Sequence, residues 1–177
     1  MEDKKINKYY DKYLKYKGKY LETYKKSVNA ICILNSLDIS GVIYLDEIND
    51  LVTIYGRISG LTKNSHHAIH IHEFGDVREQ CDGCSGHYNP FNKEHGDRLA
   101  EERHVGDLGN LETDENGFVD FSFTDHLVKL RGPYSVLGRS IIIHEDIDDL
   151  GLGKHKDSKK TGHAGKRLVC GVIGLRK

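Results

Sequence analysis

Apolar and polar residues alternate in several short segments between residue 27 and the C-terminus. Successive side chains of a strand point to opposite faces, so this alternation predicts β-strands with one buried face. In one segment Val119, Phe121 and Phe123 share a face, opposite Asp120 and Ser122. The seven segments predicted as strands are SVNAICILN, ISGVIYLDE, LVTIYGRISG, HHAIHIHEF, GFVDFSFTD, GRSIIIHED and RLVCGVIGL.

Short strands separated by Gly and Asn turns are typical of an antiparallel sandwich or barrel. The tetrapeptide DENG before Phe118 predicts a hairpin turn. Two stretches, residues 75–109 and 145–166, have no periodicity. Loops of this length in a compact domain are usually functional or disordered, and we expect them to build a site on the β scaffold.

The first 27 residues differ from the rest of the chain, since they hold nine lysines and six of the ten tyrosines. Tyrosines recur there at three- and four-residue steps, which predicts a helix, although Gly18 weakens it. We expect an extension over residues 1–27, partly helical or disordered, followed by one domain over residues 28–177. The extension is interpreted as a solvated arm, with an arm that binds an acidic partner as the alternative. The tyrosines of the stripe are Tyr9, Tyr13, Tyr16, Tyr20 and Tyr24.

Composition narrows the class of protein. The 177 residues are 37% hydrophobic and 30% charged, with a formal net charge of −1. These values favour neither a nucleic-acid-binding nor a membrane protein, and no run of about 18 apolar residues predicts a transmembrane helix. The N-terminus also lacks the apolar core of a secretory signal. We therefore expect a cytoplasmic protein.

Histidines are concentrated in one region, since seven of the eleven lie between His66 and His104. In AIHIHEFGD the imidazoles of His70 and His72 share one face of a strand, which suits a borderline-soft metal ion. A chance surface pair is the alternative. We expect His66, His67 and His126 to be ordinary surface or turn histidines.

Six imidazoles and one carboxylate are candidate metal ligands. A zinc ion takes four ligands and a copper site built of imidazoles takes about four. Seven groups therefore fill two sites if one histidine serves both metals through its two nitrogens. The candidates are His70, His72, His87, His95, His104, His144 and Asp107.

Four cysteines are too few for a disulfide-dense secreted scaffold. Cys81 and Cys84 form a C-x-x-C motif, CDGC, which is also found at zinc and redox sites. No second such motif follows and no βα unit surrounds it, so that interpretation is the less favoured one.

Five fragments together resemble the copper/zinc superoxide dismutase family, in its dimeric intracellular eukaryotic type: HIHEFGD, HYNPFNKEHG, EERHVGDLGN, GRSIIIHEDIDDLG and GHAGKRLVCGVIG. The resemblance extends from about residue 28 to the C-terminus. It implies an all-β fold, an eight-stranded antiparallel Greek-key sandwich or barrel of immunoglobulin-like type with two long functional loops. It also implies dismutation of superoxide to oxygen and hydrogen peroxide, and so protection against oxidative stress.

The resemblance further implies the metal ligands, with one copper cation and one Zn²⁺ per subunit. His87 would bridge the two metals, and His87 and Arg167 would be the catalytic residues. Asp148 would link a copper-ligand histidine to a zinc-ligand histidine. The implied copper ligands are His70, His72, His87 and His144, and the implied zinc ligands are His87, His95, His104 and Asp107.

Other roles follow from the same resemblance. Cys81 and Cys170 would form a disulfide and Cys32 would be a buried free thiol, whereas Cys84 has no family counterpart and is interpreted as a spare thiol near the disulfide. Superoxide, a second copy of the chain and a copper chaperone are the implied partners. Residues implied to steer superoxide are Lys156, Lys160 and Thr161, and those implied at a dimer contact are Phe74, Gly75, Leu137, Gly138, Ile173 and Leu175.

Two other functions remain open from the residues alone. One is a binding protein resembling the dismutase-like domain of the copper chaperone, and the other is a metal buffer in which the basic Tyr-rich arm acts. The presence of all seven candidate ligands and Arg167 counts against the chaperone-like alternative.

Overall fold

The computed structural model describes residues 12–18 and 27–177. Residues 12–18 form a helix, α1, in which Tyr13 and Tyr16 are exposed. Tyr9, Tyr20 and Tyr24 of the predicted stripe lie outside the described residues. The first strand begins at Val28, the residue at which the domain was predicted to start.

Eight strands and two short helices make up the domain. The 3₁₀-helix η1 lies in the first long loop, and the helix α2 lies in the second. The strands are β1 Val28–Asn35, β2 Ser40–Ile48, β3 Leu51–Ser59, β4 His66–His72, β5 Asp107–Glu112, β6 Val119–Asp125, β7 Ser140–His144 and β8 Arg167–Leu175; η1 is Glu79–Cys84 and α2 is Ser158–Thr161.

The strands pair antiparallel in the order β5-β4-β7-β8-β1-β2-β3-β6, which wraps into a nearly closed barrel. This confirms the predicted fold class. In the β2–β3 pair, buried and outward-facing side chains alternate along each strand, and Ile43 and Ile54 are fully buried. Tyr44 and Tyr55 lie opposite each other on the outer face, with ring centroids 5.1 Å apart. Cross-strand aromatic pairs of this kind stabilise a sheet.

Two local predictions were wrong. Strand β5 was assigned to a loop up to residue 109, because its sequence DLGNLE contains Gly and Asn and lacks strict alternation. The predicted DENG hairpin is a turn, in which the Gly117 N–H donates to the Asp114 carbonyl (3.1 Å). It joins β5 to β6, which stand at the two ends of the strand order and do not form a hairpin.

The barrel positions the histidine-rich strand. Ile69 and Ile71 of β4 point into the core, and pairing with β7 places His70 opposite Ile142 and His72 opposite Ser140. His70 and His72 therefore lie on the outer face of the barrel, yet they are 0% and 2% exposed. The two long loops cover that face, as predicted. No helix of the described residues is long and apolar enough to cross a membrane.

Candidate metal centre

Four buried histidines converge from two strands and a loop. β4 contributes His70 and His72, the end of β7 contributes His144, and the first long loop contributes His87. One candidate ligand atom from each lies within 4.8 Å of the others. The Nε2 atoms of His72 and His144 are 3.3 Å apart. These are the four residues predicted to hold copper.

The outer nitrogens of two of these rings are fixed by protein groups. His72 Nδ1 lies 2.8 Å from the Ser85 carbonyl oxygen, and His70 Nε2 lies 2.8 Å from Asp148 Oδ2. His70 Nδ1 and His87 Nε2 are buried with no hydrogen-bond partner among the described residues. A buried polar atom without a partner is costly, so these inward-facing nitrogens fit a metal ion that accepts their lone pairs.

A second donor group adjoins the first and shares its histidines. It comprises His70, His87, His95 and Asp107, whose candidate ligand atoms also lie within 4.8 Å of one another. His104 joins this group at its edge, since His104 Nδ1 is 3.0 Å from Asp107 Oδ1 and 3.4 Å from His87 Nδ1. The four residues predicted to hold zinc thus lie together, with His87 presenting one nitrogen to each group.

Protonation favours metal binding in the first group. Burial, with a further contribution from neighbouring histidines, lowers the pKa of His70 and His72 well below the ordinary value and that of His144 to about 4. Burial also lowers the pKa of His87. These rings are therefore neutral near pH 7, which is the form that binds a metal.

The second group contains an ionised carboxylate. Burial opposes ionisation of Asp107, but hydrogen bonds from His104, His87 and His95 outweigh it and hold its pKa well below the usual range. Burial likewise opposes charge on His95, yet Asp107 and Asp148 raise its pKa to about 9. An ionised buried carboxylate among imidazoles is a donor set that suits zinc.

Asp148 connects the two groups. Its Oδ2 lies 2.8 Å from His70 Nε2, and its Oδ1 lies 2.7 Å from His95 Nε2. The second long loop packs tightly here, because a Cβ at Gly162 would overlap Asp148 Oδ1 and His95 Nε2. Carboxylates in this position fix the orientation and tautomer of ligand imidazoles, and the family resemblance implied this link.

A depression of about 210 Å³ opens next to the first donor group. His72, His87, His144, Thr161 and Arg167 are among its lining residues. The Arg167 guanidinium is held by η1 and the residue that follows it: Nη1 donates to the Cys81 carbonyl (2.6 Å) and Nη2 to the Ser85 carbonyl (2.5 Å). Its remaining N–H groups leave it able to bind an anion.

The two lysines predicted to steer the substrate are both exposed. Lys160 lines a second depression together with His87 and His104. Lys156 lies in the same loop, before α2. Thr161 is exposed at the C-terminal end of α2 and lines the depression beside Arg167.

The predicted disulfide is present. Cys81 and Cys170 are bonded across 89 residues, with their Cα atoms 5.9 Å apart, and the bond ties η1 to β8. Cys32 is a buried free thiol on β1, as expected, and burial raises its pKa to about 12. Cys84 is also free and buried, and it packs beside the disulfide.

The residues predicted at a dimer contact do not all lie on the surface. Phe74 and Leu175 are 54% and 71% exposed. Gly75 approaches Gly138 so closely that a Cβ at Gly75 would overlap the Gly138 carbonyl, and Leu137 is half-buried. The Ile173 side chain is 1% exposed and belongs to the core, so it is not available to a partner.

One histidine prediction was wrong. His67 is fully buried, and its Nδ1 donates to the His144 carbonyl oxygen (2.8 Å), so it supports a residue of the first donor group. Its position beside exposed His66 in a histidine-rich segment gave no sign of this. His66 and His126 are exposed, as expected.

Arg103 is a buried charged residue that the sequence did not single out. It is 1% exposed, and its Nη2 donates to Asp125 Oδ2 (2.6 Å) while its Nη1 donates to the carbonyls of Asp107 (2.9 Å) and His104 (3.3 Å). It therefore ties the backbone of the second donor group to the end of β6. In a sequence with 30% charged residues, no local pattern marks this arginine.

Comparisons with known proteins agree with this geometry. The family model described as copper/zinc superoxide dismutase (SODC) matches residues 39–173. Copper/zinc superoxide dismutases of Candida glabrata and Saccharomyces cerevisiae are 49% and 47% identical over 151 residues, 84% of this chain and 98% of each relative. A crystal structure of the clock protein EA4 is similar with a TM-score of 0.81 and 40% identity, covering 84% of this chain and 94% of the other. The chain belongs to the copper/zinc superoxide dismutase family.

Proposed function

We propose that this chain disproportionates superoxide, using copper in the first donor group and zinc in the second. The family and the relatives' names support the activity. The position of His87 carries the assignment, because this residue belongs to both donor groups: its Nδ1 lies 2.9 Å from Asp107 Oδ1, and its buried Nε2 has no hydrogen-bond partner among the described residues. In this assignment His70, His72, His87 and His144 hold copper, and His87, His95, His104 and Asp107 hold zinc.

The overall reaction converts two superoxide anions and two protons to oxygen and hydrogen peroxide. When bound, copper supplies the one-electron redox chemistry that lets one superoxide lose an electron and a second one gain it. The side chains of the protein deliver protons and position the superoxide anion. His87 Nε2 is a buried atom without a protein partner, and burial lowers the pKa of this ring, so a proton held there is readily given up.

Arg167 orients the anion. Because backbone carbonyls of Cys81 and Ser85 hold its guanidinium at the depression, the charge is fixed in place before the substrate arrives. A guanidinium that is already held in place binds an anion more strongly and fixes the orientation of the bound anion. Thr161 narrows the same depression, and Lys160 and Lys156 add positive charge on the loop beside it.

Turnover of superoxide by the copper- and zinc-loaded protein tests this proposal. We expect activity at about one copper and one zinc per chain, falling as ionic strength rises, because approach of the anion is electrostatic. Arg167→Ile should lower the rate roughly tenfold or more, since charge focused at a cleft raises on-rates by about 10–10³. Arg57→Ile, at an exposed arginine of β3, is the matched control and should change little. A metal-loaded, folded protein without activity would contradict the proposal. A rate that does not change with ionic strength would show that electrostatic attraction does not guide superoxide to the site.

We also propose a homodimer. Phe74, Gly75, Gly138 and half-exposed Val172 lie close together, since a Cβ at Gly75 would meet both the Gly138 carbonyl and Val172 Cγ1. A two-fold contact would cover this surface with its own copy. We expect sedimentation to give a dimer for the wild type and a monomer for Phe74→Glu, while Ile48→Glu, at an exposed apolar residue beside the β2–β3 connection and away from this surface, stays dimeric. A monomeric wild type at micromolar concentration would contradict this.

A cytoplasmic location and delivery of copper by a chaperone are further proposals that rest on the family resemblance. The unit formed by residues 1–27 is likewise proposed as a separate extension, because the family match begins at residue 39 and the barrel begins at Val28.

A further inference from the structure

The C-x-x-C motif at Cys81 and Cys84 is not used by the dismutation reaction. It lies within η1, and both of its cysteines belong to one small buried cluster. Cys81 is already bonded to Cys170 of β8, and Cys84 is a free thiol. η1 thus carries a free thiol and one half of a disulfide within the same buried cluster.

Cys84 is packed against that disulfide. It is 0% exposed and forms a small apolar cluster with Cys81 and Ile142, against which Cys170 also packs. Its Sγ donates to the Asp76 carbonyl (3.3 Å), and a thiol is a weak donor that gives up such a bond at little cost. An intramolecular attack from this position needs no access from solvent.

Cys32 provides a contrast within the same chain. It is a buried free thiol as well, but it belongs to the main barrel core on β1, and burial raises its pKa to about 12. A thiolate is the nucleophile in disulfide exchange. Cys32 is therefore an inert thiol and a suitable control.

We propose that Cys84 is the attacking thiol of an internal thiol–disulfide exchange site. The Cys84 thiolate attacks Sγ of Cys81, so a Cys81–Cys84 bond forms as the Cys81–Cys170 bond breaks. The Cys170 sulfur leaves as a thiolate and takes up the proton that Cys84 lost. One thiol and one disulfide are present before and after, so the step needs no oxidant or reductant.

The exchange changes what η1 is attached to. In the native pairing the disulfide ties η1 to β8, and the carbonyls of Cys81 and Ser85 hold the guanidinium of Arg167, the first residue of β8. In the exchanged pairing the bond lies within η1, and this long-range link is lost. We expect the hold on Arg167 to loosen, which would lower the activity. That last consequence rests on the proposed function, whereas the pairing itself does not.

Disulfide mapping of the metal-loaded wild type tests the pairing directly. The protein is incubated with glutathione, quenched with acid, alkylated and digested with trypsin. Cleavage places Cys81 and Cys84 on one peptide, residues 79–93, and Cys170 on another, residues 168–176. We expect a fraction with an internal Cys81–Cys84 bond and alkylated Cys170, which is absent when Cys84 is replaced.

Two variants sharpen the test. In Cys84→Ala we expect glutathione to remain bound to Cys81, because no neighbouring thiol displaces it, whereas Cys32→Ala should behave as the wild type. Absence of the Cys81–Cys84 bond in the wild type would overturn the proposal. So would a Cys84–Cys170 bond in its place, or equal amounts of glutathione-bound Cys81 in the wild type and Cys84→Ala. None of these readouts uses superoxide, so a failed exchange is distinguishable from a failed dismutase assignment.

Discussion

Replacing His144 by alanine is expected to reduce superoxide turnover to background while zinc stays bound. His144 belongs to the first donor group alone, where its Nε2 lies 3.3 Å from His72 Nε2. The residues proposed to hold zinc keep their contacts in this variant, since His95 and His104 are positioned by Asp107 and Asp148. Copper and zinc content, measured together with turnover on the same purified sample, checks the prediction.

Two further histidine variants test whether this effect is specific to the first donor group. His126→Ala alters an exposed histidine outside both donor groups and should keep both metals and full activity. His104→Ala is the complementary variant, because it removes a donor from the second group alone. We expect this variant to lose zinc before it loses copper. Equal loss of both metals from His144→Ala would mean that the two groups are not separate sites, and the assignment would have to be abandoned.

The strands that bury one face could be predicted from sequence, and β5 could not. In β2 and β3, alternation separates Ile43 and Ile54 from Tyr44 and Tyr55, so the local pattern is enough. The sequence of β5, DLGNLE, carries no such pattern. Its strand conformation depends on pairing with β4, which is a contact between segments about 40 residues apart in the chain.

The candidate metal ligands could be named from the sequence because their spacing resembles that of a family, while their convergence depends on the fold. A strand pattern places His70 and His72 together, but it does not bring His87 or His144 to them. That requires the β4–β7 pairing, which sets His72 opposite Ser140, and a loop that returns across the same face. Spacing alone left a chance surface pair as an alternative, and burial of both imidazoles excludes it.

The supporting residues were missed for a physical reason. His67 donates a hydrogen bond to His144, 77 positions away, and Arg103 forms an ion pair with Asp125, 22 positions away. Such contacts leave no periodic trace in the sequence. A buried histidine and a buried arginine look like exposed ones until the partner is placed beside them.

Arg103 is where the second large effect is expected. We predict that Arg103→Met lowers the free energy of unfolding by about 3–5 kcal/mol, because removing one partner of a buried ion pair leaves the Asp125 carboxylate uncompensated. The guanidinium also donates to the Asp107 and His104 carbonyls, and both hydrogen bonds are lost in the variant. Urea unfolding of the metal-free protein with its disulfide intact measures the change without a contribution from metal binding. Arg57→Met, in the exposed Arg57–Asp120 pair, should cost less than about 1 kcal/mol.

A double variant separates the effect of leaving the Asp125 charge unpaired from the effect of losing the other contacts of Arg103. Asp125→Asn removes the carboxylate charge and keeps an oxygen that can accept the Leu127 and Val128 N–H groups, as Asp125 Oδ1 does now. If charge dominates, Arg103→Met with Asp125→Asn should be more stable than the sum of the single changes implies, by about 0.5–3 kcal/mol. Strict additivity would show that Arg103 acts mainly through its hydrogen bonds to the Asp107 and His104 carbonyls. Loss of Arg103 would then destabilise the segment that carries Asp107 and His104. Zinc affinity would decrease together with the free energy of unfolding.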